Sequence, residues 1–213
     1  MKKRELAIFL SKLKTFEKPK VKLEQYQTEA EIAADALWTA YMNRDIEDKT
    51  IVDLGCGTGT FGLGALLLGA KKVYMVEVDE ETLELARQNK KTLEKETGQK
   101  LNAELIRQDI RNFKKKSDVV IQNPPFGVQK SHTDKLFLLK AMETAPKIYS
   151  FHKIESQEFI KRFTKEQGFQ SELIQEYDLP IKRVYLFHTK KIYKVRIGMW
   201  KIWKNSTVIK QTT

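Results

Sequence analysis

Asn123, Pro124, Pro125 and Phe126 follow directly on the apolar run Val119-Val120-Ile121-Gln122. The run predicts a buried strand. The four residues after it are suited to presenting carbonyl oxygens and an aromatic face to a planar, conjugated NH2 group. Such a nitrogen is a poor nucleophile, because its lone pair is delocalised. The Asn123 side-chain oxygen and the Pro124 carbonyl can each accept one N–H, which draws the nitrogen towards a tetrahedral shape and frees the lone pair. Proline fixes its own φ and brings no N–H, so the strand end is stiff and rich in acceptors. Phe126 can stack on a ring and hold its plane. The plainer alternative is a Pro-Pro turn that ends a strand, and the tetrapeptide alone does not separate the two.

A second group of residues supplies a place for a donor. Asp53-Leu54-Gly55-Cys56-Gly57-Thr58-Gly59 leaves one predicted strand and enters a predicted helix. Gly55, Gly57 and Gly59 let the backbone turn sharply and approach a ligand. A dinucleotide fingerprint needs glycine at position 60, where this chain has Thr60. The Asp-Leu-Gly-x-Gly-x-Gly form instead suits S-adenosylmethionine, with the methionine end over the loop. A tight strand–helix turn with no ligand is the alternative. Glu77 ends the next strand, about 20 residues on, where a carboxylate can accept from two ribose hydroxyls. Asp79 competes for that role or caps the following helix. Asp109, after the third strand, can accept an adenine amine or cap a turn. Asp53, Glu77, Asp109 and Asn123 thus fall at the carboxyl ends of four successive strands, where open α/β sheets bind ligands.

The elements that would position them alternate. Strands are predicted at Thr50–Leu54, Lys72–Val78, Glu104–Arg107, Val119–Gln122, Ile148–Phe151, Phe169–Tyr177 and Tyr193–Trp203, and helices at Thr60–Leu68, Glu80–Glu96, Asp134–Thr144 and Ser156–Gln167. This order predicts an α/β fold: a Rossmann-like, seven-stranded mixed sheet with helices on both faces and the last two strands antiparallel. Leu6, Phe9, Leu10 and Leu13 recur at helical spacing over residues 3–14. Thr28-Glu29-Ala30-Glu31 reads as a capping box that opens a helix to about Asn43. Residues 1–45 read as an N-terminal helical extension over the strand ends, 46–204 as the catalytic domain and 205–213 as a tail. Trp200, Trp203 and Tyr193 read as core.

Composition narrows the class. The 213 residues carry a net charge of +11 with 41% apolar residues, as in a soluble globular protein. No apolar run approaches the ~20 residues that span a bilayer, and the N-terminus lacks a signal-peptide core. One cysteine, Cys56, excludes an internal disulfide and argues against a cysteine-bound metal, so no metal is expected and a reducing cytoplasm is the default. Residues 1–22 carry eight Lys or Arg against Glu5 and Glu17, and residues 180–213 carry nine with no acid. Basic ends around a mildly acidic middle suit a polyanion at the ends. Lys20, Lys22, Lys130, Lys153, Lys182 and Arg183 are candidate RNA phosphate contacts, against the alternative of solvated surface charge. His152 and His188 are either RNA contacts or structural.

The chain resembles a methyltransferase-like family that N6-methylates one adenosine of small-subunit ribosomal RNA in archaea and eukaryotes. The resemblance covers nearly the whole length, including Phe16-Glu17-Lys18-Pro19-Lys20, Leu23-Glu24-Gln25-Tyr26, the glycine loop, Asn123-Pro124-Pro125-Phe126-Gly127, Thr133-Asp134, His152-Lys153, Tyr177-Asp178-Leu179-Pro180 and Phe187-His188. It implies that Gln25, Thr28, Gly55, Glu77, Asp109 and Asn123 touch S-adenosylmethionine. The family usually has proline where Gln27 stands and often aspartate where Glu77 stands. Relatives often pair, along a sheet edge, with a small zinc-containing methyltransferase activator protein; Lys72–Val78 is the expected edge. Two other functions share these features: a protein glutamine-amide methyltransferase, whose substrate is also a conjugated NH2, and a non-catalytic RNA-binding assembly factor that kept the fold.

Overall fold

The computed structural model describes residues 1–16, 20, 28–125, 133–182 and 192–204. Seven strands, β1 (Thr50–Leu54), β2 (Lys72–Glu77), β3 (Ala103–Arg107), β4 (Val119–Gln122), β5 (Lys147–Lys153), β6 (Phe169–Lys182) and β7 (Ile192–Lys204), form one sheet in the order β3-β2-β1-β4-β5-β7-β6. All neighbours are parallel except β7, which runs antiparallel to β5 and to β6. The chain steps outward from β1 to β3, then returns to start β4 on the other side of β1. That reversal leaves a crevice at the carboxyl ends of β1 and β4. Leu54 pairs with both Val76 and Gln122, so the three central strands end level.

Alternation along each strand sends side chains to two cores. On one face Ile51, Met75, Ile121, Tyr149 and Met199 are buried under α1 (Lys3–Ser11), α2 (Ala30–Met42), α3 (Thr60–Leu67) and α4 (Glu80–Thr97). On the other, Val52, Val76, Val120, Ile148 and Trp200 are buried with residues of α5 (Thr133–Thr144) and α6 (Gln157–Glu166). Trp200 is therefore core, as the sequence suggests.

The N-terminal helices do not lie over the strand ends. Leu6, Leu10 and Leu13 with Ala33, Leu37 and Ala40 belong to the same core as Ile51 and Met75, on a sheet face. A β-carbon on Gly64 of α3 would come 2.4 Å from Leu37 Cδ1 and 3.3 Å from Leu10 Cδ2, so the three helices meet at close quarters. Each such leucine contributes roughly 1.5–3 kcal/mol by burial. Polar ties complete the docking. Asp35 of α2 accepts from Lys3 at 2.7 Å, from Tyr177 of β6 at 3.1 Å and from Gln175. Buried Asp45, just past α2, accepts from the Tyr149 hydroxyl at 2.7 Å and pairs with Lys147.

Three local expectations are corrected. Thr28 does not cap α2: Glu29 occupies the N-cap position and makes no side-chain cap bond. The span read as the sheet edge, Lys72–Val78, lies between β1 and β3, so β3 is the edge on that side. The hairpin of β6 and β7 outruns the sheet: Tyr177 and Ile197 pair level with Lys153 at the end of β5, and pairing continues to Lys182 and Ile192. No helix among the described residues is long and apolar enough to cross a membrane.

Candidate active site

The glycine loop is bent over the end of β2. Gly55 and Cys56 both donate their backbone N–H to the Val76 carbonyl, at 2.9 and 3.0 Å. Gly55 holds φ +68°, and a β-carbon there would stand 3.0 Å from the Phe137 ring. Gly59, at φ +93°, is the N-cap of α3, and its β-carbon would strike Met75 at 2.7 Å. Both positions therefore call for glycine by conformation, with close packing against Phe137 at Gly55 and against the mobile end of Met75 at Gly59 as a lesser cost. Within the loop the N–H groups of Gly55, Cys56, Gly57 and Gly59 are already bonded to the protein, so a carboxylate of an amino-acid ligand would meet the N-terminus of α3 rather than these amides.

Asp53 turns inward. Its Oδ2 accepts the Gly62 N–H at 2.8 Å, in the first turn of α3, and the side chain is fully buried. Burial pushes its pKa up to about 7, against the lowering effect of that N–H. Asp53 thus fixes the start of α3 relative to β1 and bears on the site through the loop. Glu77 curls over the same loop. Its Oε2 accepts from Gly57 N–H at 3.1 Å, and its Oε1 accepts from the N–H groups of Val78 and Asp79 at 2.9 and 3.0 Å. Burial raises its pKa, with those three donors opposing. Asp79 is the N-cap of α4, accepts from the Thr82 hydroxyl at 2.8 Å and pairs with Lys20 at 2.8 Å. Of the two acids after β2, it is therefore Glu77 that lies against the glycine loop.

Asp109 caps the 3-10 turn Ile110–Asn112, accepting from the Arg111 N–H at 2.9 Å. It also holds the Arg111 guanidinium two-fold, at 2.9 and 2.6 Å. The turn-cap role is present, and the carboxylate remains at the carboxyl edge beside β3. Asn123 follows β4 one residue beyond the Leu54–Gln122 pair, at the same end of the sheet as the glycine loop. Its Nδ2 donates to Thr28 Oγ1 at 2.9 Å. Pro124 is buried and Pro125 half-buried. Phe126, Gln25, Lys22, Lys130 and Arg183 lie outside the described residues. Lys153 ends β5 on the same edge, and the backbone of Lys182 closes the paired part of the β6–β7 extension. Lys20 is engaged by Asp79 and Glu81, both at 2.8 Å.

Sequence reasoning missed two features. Asn89 is buried in α4 and holds residue 14 against Thr58 of the glycine loop, while the Phe16 ring lies over Gly57. The signal was an asparagine amid the apolar positions Leu83, Ala86 and Leu93 of one helix. The second is a buried polar row under the strand ends: Gln122 donates to Ser150 at 2.9 Å, and Ser150 bonds His152 Nε2 at 2.7 Å. His152 is buried and its pKa is pushed down to about 3 by desolvation, so it is a neutral structural residue. Burial likewise raises the Cys56 thiol well above its usual range, which leaves it unreactive.

The carboxyl edge of the sheet thus carries the glycine loop and the N-terminus of α3, with Glu77 against the loop and Asp109 after β3. That pattern fits a ligand with a carboxylate, a vicinal diol and a positive centre, the groups of S-adenosylmethionine. Residues 27–149 match the family model described as methyltransferase small domain. The rRNA N6-adenosine-methyltransferase METTL5 of Danio rerio is 34% identical over 206 residues, covering 92% of this chain and 96% of that protein. Mettl5 of Drosophila melanogaster, of the same description, is 31% identical over 204 residues, covering 94% and 96%. A crystal structure from Pyrococcus horikoshii, of a protein proposed to be an RNA methyltransferase, superposes with a TM-score of 0.86 at 42% identity over 96% of this chain and 98% of that one. The chain belongs to the methyltransferase small domain family, in the group of the rRNA N6-adenosine methyltransferases.

Proposed function

We propose that this chain transfers a methyl group from S-adenosylmethionine to N6 of an adenosine in ribosomal RNA, with small-subunit RNA as the substrate in the cytoplasm. The observation that supports the reading is that β1 and β4 end level, Leu54 pairing with Gln122 just before Gly55 and Asn123. It sets an amine-gripping strand end at the same sheet edge as a loop that can hold the donor. When bound, S-adenosylmethionine supplies a methyl group activated by its sulfonium. The chain's own residues do the rest. The N-terminus of α3, after the loop Gly55–Gly59, receives a carboxylate, Glu77 accepts from ribose hydroxyls and Asp109 from an adenine amine, while Gln25 and Thr28 close on the same ligand. Asn123 Oδ1 and the Pro124 carbonyl accept the two hydrogens of the target N6, and Phe126 stacks on its ring. Positioning and preorganised acceptors are the catalytic contribution. The methylated nitrogen is strongly acidic and releases its proton to water, so no basic side chain is required.

Residues 46–204 form the methyltransferase domain in this proposal, with 1–45 as a flanking helical part and 205–213 as a tail. Lys22, Lys130, Lys153, Lys182 and Arg183 contact RNA phosphates. Lys20 joins them only by leaving Asp79 and Glu81. A small zinc-containing activator protein pairs with the β3 edge, which co-purification from the source organism tests directly.

The deciding experiment offers tritiated S-adenosylmethionine and ribosomal RNA from cells lacking the gene to the purified protein, and digests the RNA to nucleosides. Label should appear in N6-methyladenosine. Asn123→Ala should abolish transfer while cofactor affinity by calorimetry stays within a few-fold. Label confined to protein, or turnover that survives in Asn123→Ala, defeats the proposal.

A further inference from the structure

Thr28 stands where a helix cap should be and does something else. The sequence Thr28-Glu29-Ala30-Glu31 has the capping-box form, in which the threonine oxygen accepts an N–H of the first turn. In the structure α2 begins one residue later, with Glu29 extended at φ −56° and ψ 144° and with no side-chain cap bond. The helix thereby forgoes a bond worth about 1 kcal/mol. The Thr28 hydroxyl, only 4% exposed, instead accepts from Asn123 Nδ2 at 2.9 Å, across 95 residues of sequence. A local rule broken without local gain is the mark of a site where another demand prevails.

That demand can be read from the chemistry of an amide. The two ends of the Asn123 side chain are opposite in kind: Oδ1 accepts and Nδ2 only donates. An amine about to attack has two N–H groups and needs acceptors, so a turned amide would set donor against donor. In this structure Thr28 Oγ1 accepts from Nδ2, which anchors the Asn123 side chain with Oδ1 turned to the other side. Its platform is rigid. Ala33, Ala34, Ala36 and Leu37 of α2 are buried, and Asp35 ties the helix to Gln175 and Tyr177 of β6 and to Lys3 of α1.

We propose that Thr28 is a positioning residue for Asn123, anchoring its side chain beside the strand end in addition to any contact with the cofactor. This rests on the methyltransferase reading above. If wild-type protein does not label adenosine N6, that reading fails; if it does, the following variants judge Thr28 separately. Thr28→Val keeps shape and removes the hydroxyl. It should lower kcat roughly ten- to a hundredfold, the scale of a displaced reacting group. Affinity for S-adenosylmethionine, by calorimetry, should fall only by the few-fold of one lost contact, less than the fall in kcat, and Thr28→Ser should restore both. A second readout needs neither cofactor nor RNA. In 15N-edited NMR the Asn123 side-chain NH2, assigned by its loss in Asn123→Ser, should lose its protection from exchange in Thr28→Val and regain it in Thr28→Ser. Should Thr28→Val fold poorly, Thr28→Ala takes its place. A rise in cofactor Kd with kcat unchanged overturns the proposal and makes Thr28 a cofactor contact alone. So does an Asn123 NH2 signal indifferent to the substitution, or a serine variant as impaired as valine.

Discussion

Asn89 and Thr58 are joined across 31 residues: the buried side-chain amide of Asn89 donates to the Thr58 carbonyl at 2.9 Å. The same Nδ2 donates to the Lys14 carbonyl at 3.1 Å, and its Oδ1 accepts the Lys14 N–H at 2.8 Å. One side chain of α4 thus fastens the N-terminal segment to the cofactor loop, and the Phe16 ring lies beyond, over Gly57. Asn89→Ala should destabilise the protein by roughly 2–4 kcal/mol, the cost of hydrogen bonds lost with buried partners left unpaired. Asn89→Asp should be worse than alanine, because it places a carboxylate against two carbonyl oxygens. Both should weaken S-adenosylmethionine binding by calorimetry. Unaltered affinity in a folded Asn89→Ala would show that the loop holds its shape without the fastening.

Two buried titratable groups make opposed contributions to the pH dependence of stability. Asp53 is raised from 3.8 to about 7 by burial, so the folded state holds its proton longer. The stability it lends is complete below its unfolded pKa and is lost as pH rises towards about 7. His152 is lowered from 6.5 to about 3 by burial, so it favours folding fully above 6.5 and loses that as pH falls towards about 3. Between roughly pH 4 and 6.5 the two slopes, each up to about 1.4 kcal/mol per pH unit, offset one another. Asp53→Asn should therefore expose a stability that climbs with pH in this range, and His152→Gln one that declines. Urea unfolding at pH 4, 5 and 6 reads the slopes. Parallel curves for wild type and both variants would show that neither group titrates where its burial places it.

The parts of this fold that the sequence discloses are those fixed locally. Thr50–Leu54 and Val119–Gln122 end where predicted, because short apolar runs meet glycine or proline. The convergence of Glu77, Asp109 and Asn123 on one edge followed from strand order alone. What escaped depends on distant partners. β2 alternates like a half-exposed edge strand, yet β3 pairs beside it. β6 continues past Tyr177 and through Pro180, because β7 runs alongside it. Thr28 carries a sound capping signal and is claimed by Asn123. No local pattern announces that an asparagine 95 residues away will compete for its hydroxyl.

The length of the Glu77 side chain has a visible use. It lets one oxygen reach the Gly57 N–H at 3.1 Å while the other takes the two N–H groups after β2. Glu77→Gln replaces one acceptor by an NH2 that must face a backbone donor, and it should cost about tenfold or more in cofactor affinity, with loss of roughly 1–3 kcal/mol of stability. Glu77→Asp should lose the Gly57 bond but keep a carboxylate for the ribose, and so fall between wild type and glutamine. Calorimetry with S-adenosylhomocysteine and thermal melting test the order. Equal affinity for the glutamine and wild-type proteins would remove Glu77 from the cofactor site.

Beneath the strand ends, Gln122 and Ser150 offer a contrast between removing a polar group and stranding one. Gln122 Nε2 donates to Ser150 Oγ at 2.9 Å, whereas the buried Gln122 Oε1 has no hydrogen-bond partner among the described residues. Gln122→Leu removes the orphaned oxygen together with the donor and fills similar space in an apolar core. Ser150 keeps its bond to His152 at 2.7 Å. The change should therefore be neutral within about 1 kcal/mol or stabilising. Ser150→Ala leaves both the Gln122 amide and the His152 ring without their shared partner, and should cost roughly 2–4 kcal/mol by the same reasoning. Because Gln122 precedes Asn123, Gln122→Leu also asks whether the row steadies the amine-gripping strand end. Unfolding curves give the stability order, and kcat measured on the stable leucine variant answers the second question: a value near wild type assigns the row to packing, and a drop of about tenfold or more, without change in cofactor affinity, assigns it to holding Asn123 in register.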